Sequence, residues 1–296
     1  FFTFDLLSWS CGGGGGGKNL VNALIPVIMQ GWFAHSSHFF PNNQTLPIFV
    51  GTHFASGIHK FLEYFIAYYP FYFKDKEIGC RDLETLQFCQ NKGLKAYFSR
   101  CLTLTLPKRE ANIEANKVFL VGIPKEYLQY IPQNLSDNAI QINQQNIEHQ
   151  NLNSEHFESQ AQNLLETYKN EAKLIITCAL HCASPAIAMG IPVVLIARDQ
   201  ENIQRFSALS GIVPIYTLED LEKGRVDFAP QSLNIELLKE DMLENLKLSI
   251  KQAMGESIDT QALQAIRQRI ADFVPAMQSN AAESQGDSVI LSGGGG

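Results

Sequence analysis

The sequence has few charged residues and no excess of basic ones, and both features exclude some classes of protein. Only 18% of the 296 residues are charged, and 23 basic against 30 acidic side chains give a net charge of -7. Proteins that bind nucleic acid usually present a basic surface, so this balance argues against nucleic acid as a partner. Hydrophobic residues make up 45% of the chain, which is typical of a globular protein whose core needs no disulfide or metal.

The sequence also lacks a run of about 18 or more apolar residues, and it therefore predicts no transmembrane helix. The aromatic segment 61–73 is short and contains Glu63 and Pro70. We expect this segment to be buried, and any contact with a membrane to be peripheral and to involve it. No signal peptide is recognisable, so we expect a cytoplasmic protein, with the inner face of the membrane as the alternative location.

Paired metal-binding motifs are absent as well. No two of the six cysteines form a Cys-x-x-Cys pair, which favours reduced thiols in a cytoplasmic protein. Cys178, His181 and Cys182 lie close together in the sequence, but no second ligand pair with zinc spacing accompanies them. We therefore expect no metal site and no cofactor.

Two glycine tracts, 12–17 and 293–296, are unlike ordinary protein sequence, and the chain does not begin with methionine. We expect the N-terminus to be incomplete and use neither tract as evidence for a fold or a site. The first tract also lacks the Lys-Ser/Thr ending of a phosphate-binding loop.

Short apolar runs separated by turns and helices predict an α/β fold. In the first half a helix at 81–92 ends at Gly93, a favoured helix-terminating residue, and it lies within a strand–helix–strand unit. The predicted strands of this half are 25–30, 47–51, 96–99 and 101–106.

The second half repeats this alternation after a polar stretch near residue 110. A helix is predicted at 184–189 with Pro185 in its first turn, and the Asn/Gln-rich stretch 133–153 is interpreted as a surface insertion. The other predicted strands are 117–123, 173–178, 192–197 and 213–216, and the other helices are 157–172, 218–223, 235–254 and 260–273.

We therefore predict two Rossmann-like domains, residues 1–110 and 111–296, which face a cleft and are followed by C-terminal amphipathic helices. In open α/β sheets, ligands bind at the carboxyl ends of the strands. The functional site is therefore expected in this cleft.

Arg81 and Asp82 are the first candidate site residues, because they precede the helix at 81–92. A guanidinium at a helix start favours binding of a carboxylate or phosphate, as do the backbone N–H groups there. The alternative interpretation is an ordinary surface arginine paired with Asp82 or Glu84, with Asp82 capping the helix.

His181 is the second candidate, in the Ala179–Leu180–His181 sequence after the strand 173–178. A histidine at a strand end is suited to proton transfer near neutral pH. A structural histidine in a packed turn is the alternative.

His35 follows the first strand, in an aromatic segment with Trp32 and Phe33, which favours either stacking on a sugar ring or core packing. His53 and His59 carry no specific signal. Arg205 is a candidate second cation for the cleft, with a solvated arginine as the alternative.

Taken together, these motifs resemble the polysaccharide pyruvyl transferase family over about residues 25–220. Their order and spacing are more specific than any single motif. The motifs are IGCRD at 78–82 with Thr85, AYFS at 96–99 with CLTLTL at 101–106, LIITCALHC at 174–182, AMGIPVV at 188–194 and RF at 205–206 with Leu209, while QGWFAH at 30–35 is similar to one branch of the family.

The resemblance implies a GT-B-like fold and transfer of pyruvate from phosphoenolpyruvate to a sugar as a ketal. The implied acceptor is a glycan, or a lipid-linked or nucleotide-linked sugar. His181 is the implied general acid and Arg81 the implied anion clamp. Other implied substrate contacts are Asp82, Leu180, Arg100, Arg205 and His35.

One residue departs from the family pattern. The family commonly has Arg-Leu-His where this chain has Ala179, Leu180 and His181. Without the charge-assisted hydrogen bond of that arginine, donor binding should be weaker by about 1.5–3 kcal/mol, unless Arg100 or Arg205 compensates. The alternatives to a pyruvyl transferase are a GT-B-type glycosyltransferase that uses a nucleotide sugar, and a catalytically degenerate binding protein.

Overall fold

The computed structural model describes residues 24–33, 45–143 and 154–275. Within these ranges helices alternate with parallel strands, which confirms the predicted α/β class. The strands form a four-stranded sheet, a five-stranded sheet and a separate two-stranded pair, all parallel.

The first half of the chain builds the four-stranded sheet in the order β2-β4-β5-β6, and β1 pairs with β3. Gly79 in β5 is required by close packing, because a Cβ there would lie 2.8 Å from the Phe49 carbonyl oxygen. Helices α1 and α2 cover this half. The bounds are β1 Ile25–Ile28, β2 Gly31–Phe33, β3 Thr45–Ile48, β4 Thr52–Phe54, α1 His59–Tyr68, β5 Ile78–Cys80, α2 Leu83–Asn91 and β6 Ala96–Phe98.

The second half builds the five-stranded sheet in the order β11-β10-β9-β7-β8. The bounds are β7 Lys117–Val121, α3 Gln133–Ser136, β8 Ile140–Ile142, α4 Ser154–Glu171, β9 Ala172–Thr177, α5 Leu180–Ala188, β10 Val193–Ile196, α6 Gln200–Phe206, β11 Ile215–Tyr216 and α7 Leu218–Glu222. Two longer helices follow, α8 Glu236–Ala253 and α9 Thr260–Asp272.

The central strands of the five-stranded sheet are buried on both faces. In β9, Ile175 packs into one hydrophobic cluster while Leu174 and Ile176 pack into the cluster on the opposite face. Two buried faces explain why these strands appear in the sequence as continuous apolar runs rather than as alternating ones.

The C-terminal helices contact both halves of the described chain. Leu238 and Ile270 belong to the larger cluster of the second half, whereas Arg267 of α9 lies over the Tyr97 ring of β6, 3.7 Å from its centroid. These helices therefore join the two sheets instead of extending the second half alone.

The predicted strand at 101–106 is wrong. The chain leaves the sheet after β6 through Arg100, which has a left-handed φ of 59°, and then forms a 3-10 helix over Leu102–Thr105. Leu104 is completely buried in the cluster of the second half. The alternation of Leu and Thr therefore reflects a short helix with one buried side, and not a strand.

The predicted start of the helix at Pro185 is also wrong, because α5 begins at Leu180. Pro185 lies inside the helix, where its missing N–H leaves the carbonyl of His181 without its usual partner. The earlier start moves His181 from a turn into the first turn of a helix.

The interpretation of 133–153 as a surface insertion is wrong for its first part. Residues 133–142 form α3 and β8, and β8 pairs with β7 at the edge of the sheet. Edge strands expose one face, which allows Gln141 to alternate with Ile140 and Ile142. Residues 144–153 lie outside the described residues.

Candidate active site

Arg81 immediately follows β5, and its backbone N–H donates to the carbonyl of Thr52 at 2.8 Å. Its side chain is only 1% exposed, so the interpretation of Arg81 as a surface residue is wrong. Among the described residues, its Nε and Nη2 groups have no hydrogen-bond acceptor. The nearest acidic oxygen, Oδ2 of Asp82, lies 3.6 Å from Nε. Arg81 is therefore a buried cation with N–H groups available for an anion.

Asp82 caps α2, as the alternative interpretation of the sequence had it, and is completely buried. Its Oδ1 accepts the backbone N–H of Thr85 at 2.9 Å, and its Oδ2 lies 2.5 Å from Nδ1 of His53. Burial alone would raise the pKa of Asp82, but the hydrogen bonds and the charge of Arg81 outweigh it and lower that pKa. Asp82 is therefore a carboxylate at neutral pH.

His53 in β4 is the site residue that the sequence analysis missed. Burial, together with the charges of Arg81 and Arg205, lowers its pKa despite the opposing effect of Asp82, so the ring is neutral at neutral pH. A histidine in a strand has no sequence signature of its own. The only available signal was its place in the strand preceding β5, since carboxyl ends of parallel strands meet at one edge of a sheet.

The N-terminus of α5 faces this site without a side-chain cap. Ala179 is the N-cap residue and has no hydrogen-bonding side chain, while its own N–H donates to Oγ1 of Thr177 at 3.0 Å. The backbone N–H groups of Leu180 and His181 have no acceptor among the described residues. An uncapped helix N-terminus is favourable for an anion.

Two amides in the first turn of α2, by contrast, are already used. Thr85 N–H donates to Asp82, and Leu83 N–H donates to Oγ of Ser207 at 2.9 Å. Those two amides of α2 are therefore not available to a ligand, whereas the amides of Leu180 and His181 at the start of α5 are.

His181 is the only exposed residue of α5. The surrounding protein and the charges of Arg81 and Arg205 lower its pKa to about 4, and His53 adds a smaller effect. The same effects show that Arg81, Arg205, His53 and His181 surround one site.

Arg205 lies in the last turn of α6 and is half-buried. Burial lowers its pKa, and the nearby charge of Arg81 lowers it further. Two guanidinium groups thus repel each other beside an uncapped helix N-terminus. This arrangement is suited to a ligand with two negative groups.

Arg100, by contrast, has a structural role. Its guanidinium donates to the carbonyls of Ala208, Ser210, Ile270, Ala271 and Phe273 at 2.8–3.4 Å. These five bonds match the five N–H groups of an arginine, which leaves none for a substrate.

Two further candidates from the sequence have different outcomes. The Leu180 side chain is buried in the core, so only its backbone N–H faces the site. His35 lies outside the described residues.

Neither a metal centre nor a membrane-spanning helix is found in the described part of the chain. No group of three or more His, Cys, Asp or Glu side chains there is placed to hold a metal ion. Cys178 and Cys182 are buried free thiols, and burial raises the pKa of each to about 12. No helix within residues 24–33, 45–143 and 154–275 is long and apolar enough to cross a membrane.

The chain is an α/β protein with parallel sheets, and its two arginines, its histidine and an uncapped helix N-terminus form a site that is suited to an anion. A family profile described as polysaccharide pyruvyl transferase matches residues 10–200. The chain therefore belongs to the polysaccharide pyruvyl transferase family and is a transferase, which confirms the resemblance seen in the sequence. No curated protein and no solved structure gave a significant match.

Proposed function

We propose that this protein transfers pyruvate from phosphoenolpyruvate to a sugar of a cell-surface polysaccharide or its precursor, forming a ketal. The observation that carries this proposal is the buried guanidinium of Arg81, whose Nε and Nη2 lack acceptors among the described residues. Burying a cation without partners is costly. A site that retains such a cation is built for an anionic ligand.

The donor has a carboxylate and a phosphate, and the site has matching groups for both. Arg81 and Arg205 supply two guanidinium groups, and Leu180 and His181 supply two backbone N–H groups. Guanidinium groups bind carboxylates and phosphates through paired hydrogen bonds. Arg205 thereby compensates for the arginine that the family commonly has at the position of Ala179.

Proton transfer to the donor methylene is assigned to His181. In the free protein its pKa is about 4 because of burial and the two arginines, so it is neutral at neutral pH. A bound donor neutralises those arginines and adds negative charge, which raises the pKa of His181. The histidine therefore becomes an acid when its substrate is present.

The proposed architecture is that of two Rossmann-like domains, residues 1–110 and 111–296, facing a GT-B-like cleft. The first domain would hold the acceptor glycan, or a lipid-linked or nucleotide-linked sugar. The reaction would take place in the cytoplasm, with the inner face of the membrane as the site of a lipid-linked acceptor.

Thermal unfolding with and without phosphoenolpyruvate tests this proposal. A ligand at about 100 times its dissociation constant stabilises the folded state by roughly 2.7 kcal/mol. We expect a clear rise in Tm for the parent, a much smaller rise for Arg81→Ala, and an unchanged rise for Arg269→Ala, whose exposed arginine pairs with Asp241 on α8.

Three other ligands separate the alternatives. Inorganic phosphate and pyruvate show how much the phosphate and the carboxylate of the donor each contribute to binding. A rise in Tm with a nucleotide sugar and none with phosphoenolpyruvate would indicate a glycosyltransferase instead. No response to either, and no phosphate release with any glycan, would reject a catalytic role.

A further inference from the structure

We propose that His53 is the general base that takes the proton from the attacking sugar hydroxyl, with Asp82 holding its ring in the required tautomer. This inference rests on the proposed function and adds a second proton-transfer group to it. A separate base lets the hydroxyl lose its proton while it attacks, without waiting for His181 to donate its own proton and then accept another.

The contacts of the ring fix its tautomer. Asp82 is a carboxylate and only accepts hydrogen bonds, so Nδ1 of His53 must donate to Oδ2 across their 2.5 Å separation. A neutral ring that donates from Nδ1 has a lone pair on Nε2. No hydrogen-bond partner of Nε2 exists among the described residues. The free basic nitrogen of His53 is therefore Nε2.

Asp82 is itself held rigidly. Its other oxygen, Oδ1, accepts the N–H of Thr85 as the cap of α2, and the side chain is completely buried. Thr85 Oγ1 lies 3.2 Å from Nδ1 and also accepts the N–H of Phe54. This carboxylate–histidine pair is arranged as in catalytic triads, where the acid orients the base.

The position of His53 in the sheet directs it toward the anion site. Thr52 of β4 pairs with Cys80 at the end of β5, so His53 and Arg81, which directly follow them in the chain, lie near each other at this edge of the sheet. The charged and titratable groups around His53 are Asp82, Arg81, Arg205 and His181. The proposed base and the proposed acid thus belong to one cluster and come from different halves of the chain.

The proton balance of the reaction uses both histidines. His181 donates a proton to C3 of the donor, which becomes a methyl group, and C2 becomes electrophilic. The first sugar oxygen bonds to C2 as its proton passes to Nε2 of His53. The bond from C2 to the phosphate oxygen breaks, the second hydroxyl closes the ketal, and its proton leaves with the phosphate. His53 then returns its proton to His181, which completes the cycle.

His53→Asn is the variant that isolates this role. The Asn side-chain amide occupies the place of Nδ1 and still donates to Asp82, but it has no basic nitrogen at the place of Nε2. We expect phosphoenolpyruvate to bind within about threefold of the parent and phosphate release with the acceptor to fall at least a hundredfold, in line with removal of a general base. His59→Asn, at a ring that stacks on Phe88 and bonds the Phe54 carbonyl, is the matched control and should keep its activity.

The pH profile distinguishes a base from a positioning residue. The parent should lose kcat/KM for the acceptor as the pH falls through the lowered pKa of His53, because protonation removes the Nε2 lone pair. His53→Asn should lack this acid limb. Asp82→Asn should also lose activity, because an amide that donates to Nδ1 forces the proton onto Nε2.

Each outcome of these experiments either supports or overturns the role of His53 as the general base. A His53→Asn variant with near-parental turnover, or with equal losses in donor binding and turnover, would overturn the role of base while leaving the proposed function intact. If the variant fails to fold, nitrogen NMR of the parent serves instead, and an Nε2–H tautomer would overturn the inference. A parent protein that neither binds phosphoenolpyruvate nor releases phosphate would overturn the proposed function and this inference with it.

Discussion

At the scale of single residues, the guanidinium of Arg81 is suited to binding an anion but destabilises the folded protein when no anion is bound. Its guanidinium is buried, and two of its nitrogens have no acceptor among the described residues. Buried N–H groups without partners destabilise the folded state by about 1–3 kcal/mol each. A substitution of Arg81 that raises the stability of the free protein is therefore expected to lower its affinity for an anion.

Arg81→Leu tests this expectation. We expect the Tm of the ligand-free protein to stay the same or rise, because the unpaired N–H groups are gone. The affinity for phosphoenolpyruvate should fall about tenfold to a hundredfold, as loss of a charge-assisted hydrogen bond implies. Calorimetry and thermal unfolding measure the two quantities. A lower Tm with unchanged affinity would contradict both expectations.

Arg205 and Ala179 provide a compensation test. If Arg205 supplies the second cation, Arg205→Met should weaken donor binding about tenfold or more. Adding Ala179→Arg to that variant restores a guanidinium at the N-terminus of α5, and we expect it to recover most of the affinity. A double variant that binds no better than Arg205→Met would show that the two positions are not equivalent.

His181 should make the protein less stable in mild acid. Its pKa in the folded state is about 4, below the ordinary value of 6.5, so between these values the unfolded chain binds the proton more readily. Stability is therefore present above pH 6.5 and lost as the pH falls toward 4. Urea unfolding of His181→Gln at pH 7.5 and pH 5 should show a smaller decline than the parent. The remaining decline belongs partly to His53, whose pKa is also lowered.

At the scale of elements, one buried arginine of helix α9 contributes several of the contacts that this helix makes with its neighbours. Arg267 donates to Glu77 Oε2 at 2.7 Å, to Asn245 Oδ1 at 3.1 Å and to Ser249 Oγ at 3.4 Å. Its guanidinium also stacks on the Tyr97 ring. These contacts connect α9 with α8 and with the strands β5 and β6.

The same helix offers a matched comparison. Arg267→Ala should destabilise the protein by about 2–4 kcal/mol, because it removes the charged partner of a partly buried Glu77 and leaves Oδ1 of the buried Asn245 without its donor. Arg269→Ala, two residues away, removes an exposed pair with Asp241 and should change stability little. Equal losses in urea unfolding would contradict the contribution of the buried arginine to the contacts of α9.

At the scale of the whole molecule, Arg100 connects three distant segments. It follows β6, and its guanidinium binds carbonyls after α6 and at the end of α9. The segment after α6 includes Ser207, whose hydroxyl accepts the N–H of Leu83 beside the anion site. Arg100 therefore helps to determine how the two halves of the site meet.

Arg100→Lys keeps the charge but loses the planar fork of donors. An ammonium has three N–H groups in place of five, so we expect a loss of stability of roughly 3 kcal/mol. We also expect faster proteolysis within residues 207–213. Urea unfolding and limited proteolysis with mass spectrometry measure these effects. A parental cleavage pattern would show that this segment is held by other contacts.

Much of the fold was predictable because its strands are buried on both faces. Such strands are continuous apolar runs, and β7, β9 and β10 were found for that reason. The predictions of secondary structure were wrong where the local sequence pattern favours one element and tertiary packing favours another. The Leu–Thr alternation at 101–106 is typical of a strand. The segment instead forms a 3-10 helix, because this conformation buries Leu104 against the second half of the chain.

The sequence alone determined the α/β class, the family and the candidacy of Arg81, Asp82 and His181, because motif and strand-end position are local properties of the chain. Tertiary structure decided that Arg100 is not available to a ligand. Arg100 and Arg205 are indistinguishable in sequence, yet five carbonyls from distant segments occupy Arg100. It also decided the pairing of His53 with Asp82, 29 residues apart, since contacts across parallel strands depend on how the sheet brings distant residues together.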